Sequence, residues 1–207
     1  MPKVSKEYLK ARREQIIKAS TGCFTRKGFH KTTMQDICRA SSLSPGAVYR
    51  YFRGKEEIIK AITDETLQRN VALMSPAKEK DDTVSAIEEL ADIFFSMLEN
   101  PDECDTRLDI ELWAEAMRNK KIMNALRRSL DHHLEILVEI VTNAQKKGQI
   151  DKSFDPKAVA RVMISFFNGL TLQKGFDREV DIWSYVDVIK SMIRGLSRRP
   201  AREGGGR

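Results

Sequence analysis

The chain has 207 residues, of which 41% are hydrophobic and 32% are charged, and its formal net charge is +6. This length and apolar content suffice for a buried core, in one large domain or in a small domain joined to a larger one, so the chain is expected to fold unaided. It contains no run of about 18 uncharged apolar residues that would span a membrane. Its first six residues also lack the apolar stretch of a secretion signal. We therefore expect a cytoplasmic protein without a membrane segment.

The use of cysteine argues against a metal centre or a disulfide framework. The three cysteines, Cys23, Cys38 and Cys104, have no spacing typical of a metal site, and their number is odd. This pattern favours reduced, buried thiols in a reducing compartment. The sequence indicates neither a bound metal nor a cofactor.

The charge is distributed unevenly along the chain. Residues 1–55 contain 13 Lys or Arg against three acidic residues, a formal net charge of +10, so residues 56–207 carry −4 of the total of +6. A basic first quarter indicates that one small region binds a polyanion while the rest has another role. The alternative is a solvated basic face without a partner.

Helical periodicity dominates the sequence and no long alternating strand pattern occurs, which predicts an all-α fold. The first helix is predicted at residues 6–27 and ends before Gly28, a residue that suits a left-handed C-terminal position. Thr33 and Asp36 have the spacing of a capping box. A second, short helix should therefore begin after Thr33 and reach about Ala40.

A third helix follows a turn through residues 41–43. Ser44 is a suitable N-cap, and Pro45 suits the first helical position because its missing N–H is not needed there. The helix is therefore predicted from Pro45 to about Phe52. These two short helices and the turn between them have the arrangement of a helix-turn-helix.

Longer helices are predicted in the rest of the chain. A fourth helix begins at Lys55, with Gly54 as its cap, and continues to about Leu73, before Ser75 and Pro76 interrupt it. Five further helices are predicted at about 84–99, 106–118, 121–147, 155–174 and 182–196. We therefore expect a three-helix DNA-binding domain at 1–55, a larger helical-bundle domain at 56–197 and a disordered tail at 198–207.

The predicted third helix has the composition of a DNA recognition helix. In a helix-turn-helix the second helix enters the major groove, and a basic segment supplies the attraction to phosphate. Gly46 and Ala47 lack bulk and would let the backbone approach DNA, whereas Tyr49, Arg50 and Tyr51 carry donors for phosphate oxygens or base edges. The alternative is that the aromatic side chains only fill a core, which we expect for Phe52 together with Val48.

Residues 28–37 (GFHKTTMQDI) and 44–57 (SPGAVYRYFRGKEE) resemble the DNA-binding region of TetR-family repressors. In that family a three-helix head binds operator DNA, and a larger helical body binds a small molecule and forms the dimer. The resemblance implies phosphate contacts at helix N-termini, where free N–H groups and the helix dipole attract anions. The candidate DNA-binding residues are Thr33, Ser44, Pro45, Gly46, Ala47, Tyr49, Arg50, Tyr51 and Lys55.

The sequence departs from the family pattern at three positions. Ser42 stands where the family usually has a glycine in the turn, which costs about 1 kcal/mol if the residue is left-handed. Gly54 replaces a frequent serine cap, at little cost. Pro45 replaces a more usual polar residue and removes one possible DNA contact, so details of the operator are expected to differ.

An effector pocket in the body is implied by the resemblance. Apolar and aromatic side chains recur at helical spacing there, although such positions also form ordinary cores. The candidate effector-binding residues are Phe94, Phe95, Leu98, Trp113, Met117, Phe167 and Asn168. His132 and His133 are adjacent, so they point to different helix faces and do not form one metal site.

Two acidic residues one helical turn apart, Glu111 and Glu115, allow two interpretations. They could attract a cationic lipophilic effector, or they could form a solvated acidic face.

The last two long helices have broad apolar faces, with Val159, Val162, Met163, Phe166 and Leu170 on one and Val186, Ile189, Met192 and Ile193 on the other. A monomer would leave part of these faces in water. Paired with their copies across a two-fold axis, they would form the four-helix homodimer interface that the resemblance implies.

The sequence is best explained as a DNA-binding transcriptional regulator, released from a palindromic operator by a small lipophilic effector. A constitutive DNA-binding protein without an effector is an alternative that the sequence does not separate from it. A helical enzyme would need a phosphate-binding glycine loop, a cluster of metal ligands or a nucleophile with its base, and the sequence contains none of these patterns. We therefore expect that the protein is not an enzyme.

Overall fold

The computed structural model describes residues 5–100 and 106–196, and within them the chain forms nine α-helices and no β-strand. Short 3₁₀ turns follow the fourth and fifth helices, at Ser75–Lys78 and Met97–Glu99. The helices are α1 Lys6–Lys27, α2 Met34–Ser41, α3 Pro45–Tyr49, α4 Lys55–Met74, α5 Thr83–Ser96, α6 Thr106–Ala116, α7 Lys120–Lys146, α8 Pro156–Phe176 and α9 Ile182–Gly195. The predicted all-α fold is confirmed, and each predicted helix is present.

Local capping interactions fix the ends of the first helices. The Thr33 hydroxyl accepts a hydrogen bond from the Asp36 backbone N–H at 3.1 Å, and the Asp36 carboxylate accepts one from the Thr33 N–H at 2.9 Å. This is the predicted capping box. Ser44 likewise caps α3, where its hydroxyl accepts a hydrogen bond from the Ala47 N–H at 3.3 Å. These short-range bonds satisfy N–H groups that the first helical turn leaves without partners.

Helix α3 ends at Tyr49, three residues before its predicted end. The Val48 carbonyl accepts hydrogen bonds from the N–H groups of both Tyr51 and Phe52, at 3.0 and 3.1 Å. The Val48 carbonyl thus accepts both a 3₁₀-type bond, from three residues later, and an α-type bond, from four residues later. The chain leaves the α-helical path at this point. Phe52 nevertheless lies in the core, as predicted.

Ser42 adopts the left-handed conformation expected of its position, with φ 55° and ψ 33°. It is the one residue other than glycine with a positive φ among those that the structure describes. The conformation directs the Ser42 N–H to the Arg39 carbonyl at 3.1 Å and the Leu43 N–H to the Cys38 carbonyl at 3.1 Å. These bonds close the C-terminus of α2 and offset the strain of a left-handed serine, about 1 kcal/mol.

Packing divides the chain into two compact units. The head unit comprises residues 5–67 and 107–129, and the body unit comprises 68–100, 106 and 130–196. The head is therefore larger than the predicted domain at 1–55. The reason is that apolar side chains from the first half of α4 and from α6 complete its core, among them Ile58, Ile59, Leu108 and Leu112.

The core of the head unit is built from α1–α4, α6 and the start of α7. Its fully buried members include Ile16, Phe24, Ile37 and Val48, and Phe29 packs its ring against that of Phe24 with centroids 5.5 Å apart. Cys23 and Cys38 are free, buried thiols, as expected. Cys104 and the tail at 198–207 lie outside the described residues.

The body unit has a separate apolar core, in which α5 packs against α9. Ion pairs link these two helices: the Lys190 ammonium donates to Asp92 at 2.6 Å, and the Arg194 guanidinium donates two hydrogen bonds to Glu88 at 2.7 Å each. The hydrogen bonds and charge of Glu88 raise the pKa of Arg194 above its ordinary value. Neither these helices nor the other described ones include a stretch long and apolar enough to cross a membrane.

Candidate nucleic-acid interface

Helix α3 buries one face and presents the other to solvent. Val48 and Phe52, one turn apart, are 0% and 3% exposed in the core of the head unit. On the opposite side Gly46 and Arg50 are exposed, as are Ser44 and Pro45 at the start of the helix. Because α3 is preceded by α2 and the tight turn at Ser42, the exposed face is the one that a helix-turn-helix inserts into the major groove.

The start of α3 has space for another molecule to approach closely. A Cβ atom placed at Gly46 would meet no protein atom within 4 Å. The neighbouring Ala47 is half-buried and adds only a methyl group. The absence of bulk at Gly46 is therefore not required by packing inside the head unit.

The two tyrosines differ in their surroundings. Tyr49 is 51% exposed, with its phenol available to a ligand. Tyr51 is half-buried and packs against the core of the head unit. Both residues stay candidate DNA contacts. Tyr51 also packs against the core, a difference between the two tyrosines that the sequence did not reveal.

Thr33 lies at the N-terminus of α2, where it is exposed. Its hydroxyl donates to the Asp36 carboxylate at 2.8 Å, and Asp36 also accepts from Lys27 at 2.8 Å and from Arg39 at 2.7 Å. The hydrogen bond from Lys27, followed by those from Thr33, holds the pKa of Asp36 well below its usual range. The ionised carboxylate thus orders a helix N-terminus flanked by two cations, a suitable environment for phosphate.

Lys55 lies in the first turn of α4, and its side chain folds back onto the loop at residues 28–32, which joins α1 to α2. The ammonium donates to the Phe29 carbonyl at 2.6 Å and lies 4.4 Å from the centre of the Phe29 ring. Burial lowers the pKa of Lys55, and the charges of Glu56 and Glu115 oppose that shift. The expected phosphate ligand is therefore a positioned side chain, held in place by the protein itself.

Sequence reasoning missed a contact between two side chains of the head unit, Glu115 and His30. Glu115 was expected either to attract a cationic effector or to lie on a solvated face with Glu111. Instead its side chain is only 7% exposed, and its carboxylate lies 2.5 Å from Nε2 of His30. The two residues are 85 positions apart, so no local sequence pattern would have linked them.

The candidate effector residues separate into two groups. Phe94, Phe95, Leu98 and Phe167 belong to the body core, where the Phe167 ring lies 6.1 Å from Phe94 and 5.8 Å from Phe95, centre to centre.

The other three candidates do not join that core. Trp113 and Met117 fall in the head unit, and Asn168 is exposed on α8. Met117 follows the end of α6 and is 78% exposed, so it is not packed among the long helices.

Two polar atoms in the body unit are buried without a hydrogen-bond partner in the described part of the chain. They are Oδ1 of Asn70 and Nε2 of His133. Burial, followed by the charge of His132, lowers the pKa of His133, which favours the neutral imidazole. His132 points elsewhere and lies 3.7 Å from Glu135, and the described residues contain no cluster suited to a metal ion.

The fold and this interface define a helix-turn-helix DNA-binding protein. Two family models match the chain: "Bacterial regulatory proteins, tetR family" at residues 16–62, and "BetI-type transcriptional repressor, C-terminal" at residues 86–198. The chain belongs to the TetR family of transcriptional regulators. Because the members of this family are regulators, the expectation that the protein is not an enzyme is confirmed.

Individual relatives agree over most of the length of the chain. The uncharacterised HTH-type transcriptional regulator YfiR of Bacillus subtilis is 27% identical, over 95% of this chain and 91% of its own. The solved structure of Salmonella enterica GusR is 28% identical, with a TM-score of 0.76 over 93% of this chain and 97% of its own. A complex of SmeT with triclosan, from Stenotrophomonas maltophilia, has a TM-score of 0.76 at 20% identity, covering 95% and 99%.

We predict that substitutions at Gly46 affect folding and DNA binding in opposite directions. Gly46→Ala should raise the free energy of unfolding by about 0.5–1 kcal/mol, because glycine weakens a helix. Gly46→Leu should fold normally, since the space is open, yet lose about 1–3 kcal/mol of binding to a cognate duplex through steric exclusion from the groove.

Thermal unfolding and fluorescence anisotropy with a labelled duplex measure the two effects. Ala72→Leu, which adds the same bulk at an exposed position of α4 in the body unit, is the control. Undiminished DNA binding by Gly46→Leu would show that the start of α3 does not approach DNA closely.

Proposed function

We propose that the protein is a repressor that binds a palindromic operator as a homodimer and releases it when a small lipophilic effector binds the body unit. The observation that carries the DNA-binding part is the two-sided α3, with Val48 buried and Gly46, Tyr49 and Arg50 facing out. The alternative is a constitutive DNA-binding protein without an effector. The buried polar atoms of Asn70 and His133, which have no partner in the described part of the body unit, favour the effector-responsive repressor.

Lys55 and Thr33 are the proposed phosphate contacts, together with Tyr49 and Tyr51. Lys55 is half-buried in the first turn of α4, and Thr33 is the N-cap of α2. Both positions therefore combine a side-chain donor with the positive end of a helix dipole. Contacts of this kind add affinity for every DNA sequence, whereas Arg50 and the start of α3 are placed to distinguish bases.

We predict that Lys55→Met weakens binding to cognate and random duplexes alike. Removing one phosphate contact should reduce the slope of log K against log salt by about 0.9, hence by nearly two for a dimer. Methionine retains most of the apolar stem over Phe29 and removes the charge. Anisotropy titrations at several salt concentrations give the slope.

The control for this experiment is Lys60→Met. Lys60 is exposed on the same helix and pairs with Asp64, so its removal changes the net charge equally without removing a proposed contact. A Lys55→Met slope equal to that of Lys60→Met would exclude Lys55 as a phosphate contact.

The proposed dimer interface is formed by α8 and α9. Part of each helix is turned into the body core, as with Val159, Leu170, Val186 and Ile189. Large apolar side chains also face outward, namely Val162, Leu172, Phe176, Trp183, Val188 and Met192. An outward apolar surface of this extent, on two consecutive helices, is typical of an interface with a second copy.

We predict that Val188→Glu combined with Met192→Glu yields a folded monomer. The two side chains are 55% and 54% exposed and one turn apart on α9, so the carboxylates cost little in the monomer and are desolvated in the dimer. Light scattering at micromolar concentration measures the mass, with Ala72→Glu as the control. A double variant that stays dimeric would place the interface elsewhere.

The proposed effector site lies among Phe94, Phe95, Leu98 and Phe167 in the body unit. A buried polar atom without a partner costs about 1–3 kcal/mol, and Asn70 and His133 each supply one such atom in this unit. A lipophilic molecule with a hydroxyl or amide group would pair with them. The solved complex of SmeT holds triclosan, a lipophilic phenol, which is a ligand of this chemical class.

We predict that His133→Phe stabilises the unliganded protein and reduces its response to the effector. The substitution removes a buried, unpaired nitrogen, worth about 1–3 kcal/mol. Screening lipophilic phenols and amides by thermal shift should identify a ligand, because a compound at 100 times its Kd stabilises by about 2.7 kcal/mol.

His132→Phe is the matched control, since its imidazole is 48% exposed. A ligand-induced shift of equal size in wild type and His133→Phe would remove His133 from the site.

A further inference from the structure

Glu115 is an unusually buried charge. Its side chain is 7% exposed, and among the described residues it is the one Asp, Glu, Lys or Arg that is buried. It lies on α6 next to Leu112 and Ala116 of the head core. An ionised carboxylate in such surroundings is stable only when a donor or an opposite charge compensates for the lost hydration.

The compensating donor comes from the loop between α1 and α2. Nε2 of His30 lies 2.5 Å from the Glu115 carboxylate, although the His30 side chain is otherwise 67% exposed. Glu111, one turn earlier on α6, reaches the same loop: a Cβ added to Gly28 would lie 3.2 Å from its carboxylate. Gly28 also has φ 76°, so a side chain there would be strained in any case. Two acidic side chains of α6 therefore abut residues 28–30.

The same loop also binds the ammonium of Lys55. That group donates to the Phe29 carbonyl at 2.6 Å and lies 3.4 Å from the His30 carbonyl. Within the head unit the loop is thus held from two sides, by Glu115 on α6 and by Lys55 on α4. It ends at Thr33, the N-cap of α2.

We infer that Glu115 is a positioning residue of the DNA-binding surface, which acts through His30 to hold the loop that places Lys55 and Thr33. This inference rests on the proposed function, in which those two residues contact phosphate. A positioning role and simple electrostatics predict opposite effects on DNA affinity when the charge of Glu115 is removed. Removing a negative charge from a DNA-binding unit should strengthen binding, whereas removing a positioning residue should weaken it.

The test is a double-mutant cycle on a duplex that the wild type selects from a random-sequence library. The variants are Glu115→Gln, which is isosteric but uncharged, His30→Ala, which removes the imidazole donor, and the two combined. Each single substitution should weaken binding by roughly tenfold, and the double variant should bind no more weakly than either single one, because both remove the same interaction. Glu135→Gln is the matched control, since it breaks the His132–Glu135 pair in the body unit.

The salt dependence separates positioning from general destabilisation. If Glu115 places Lys55, then Glu115→Gln should reduce the slope of log K against log salt toward that of Lys55→Met, by about 0.9 for each phosphate that Lys55 no longer reaches. General destabilisation would lower affinity without changing the slope. Thermal unfolding of each variant is measured alongside. His30→Ala truncates a mostly exposed side chain, so it remains informative if Glu115→Gln folds poorly.

Three results would overturn the inference. They are binding by Glu115→Gln and His30→Ala equal to or tighter than that of the wild type, additive losses in the double variant, or an unchanged salt slope. A wild type that selects no duplex would instead contradict the proposed function. The salt slope could be reduced in Lys55→Met and unchanged in Glu115→Gln. That result would reject the positioning role of Glu115 and leave the proposed phosphate contact of Lys55 intact.

Discussion

Helix α3 has only five residues, and a helix of that length is not stable on its own. It exists because Val48 and Phe52 are buried in a core that α1, α2, α4 and α6 complete. This constraint organises the whole head unit. Once those two side chains face inward, the helical period places Gly46 and Arg50 on the outside, on the surface proposed to contact DNA.

The loop at residues 28–32 concentrates the polar interactions of the head unit. Gly28 adopts a backbone conformation that side chains rarely allow, Phe29 enters the core, and the Thr32 hydroxyl donates to the Gly28 carbonyl at 2.8 Å. The buried carboxylate of Glu115 and the ammonium of Lys55 then engage groups on either side of it. A loop held at so many points has little conformational freedom, which suits a segment that presents a helix N-terminus to phosphate.

The body unit differs from the head unit in the length of its helices and in the position of its polar interactions. Its helices are long, its core is built from apolar side chains, and its polar links between α5 and α9 lie at the surface. Within that apolar setting Asn70 and His133 are exceptions that packing does not explain. Buried polar atoms without partners reduce stability, and the proposed effector would supply a partner for each of them.

The helices and the helix-turn-helix are specified by the local sequence. The interactions that decide those features act within a few residues: the Thr33–Asp36 box, the cap at Ser44, the proline at the first position of α3 and the glycine after α1. The resemblance to the TetR family is carried by the same short stretches. The end of α3 was less well predicted, because the shared Val48 carbonyl depends on how Phe52 enters the core.

Contacts between residues far apart in the sequence depend instead on how the helices pack. Helix α6 joins the core of the head unit, Glu115 is buried against His30, and Lys55 contacts Phe29. The residues of the last two contacts are 85 and 26 positions apart. At such separations a helical pattern specifies which face of each helix is apolar, but not which other helix covers it. Glu115 illustrates the difference. Its position one turn after Glu111 left open a site for a cationic effector or an acidic face in solvent. The packing of α6 instead buries that carboxylate against the loop that supplies its donor.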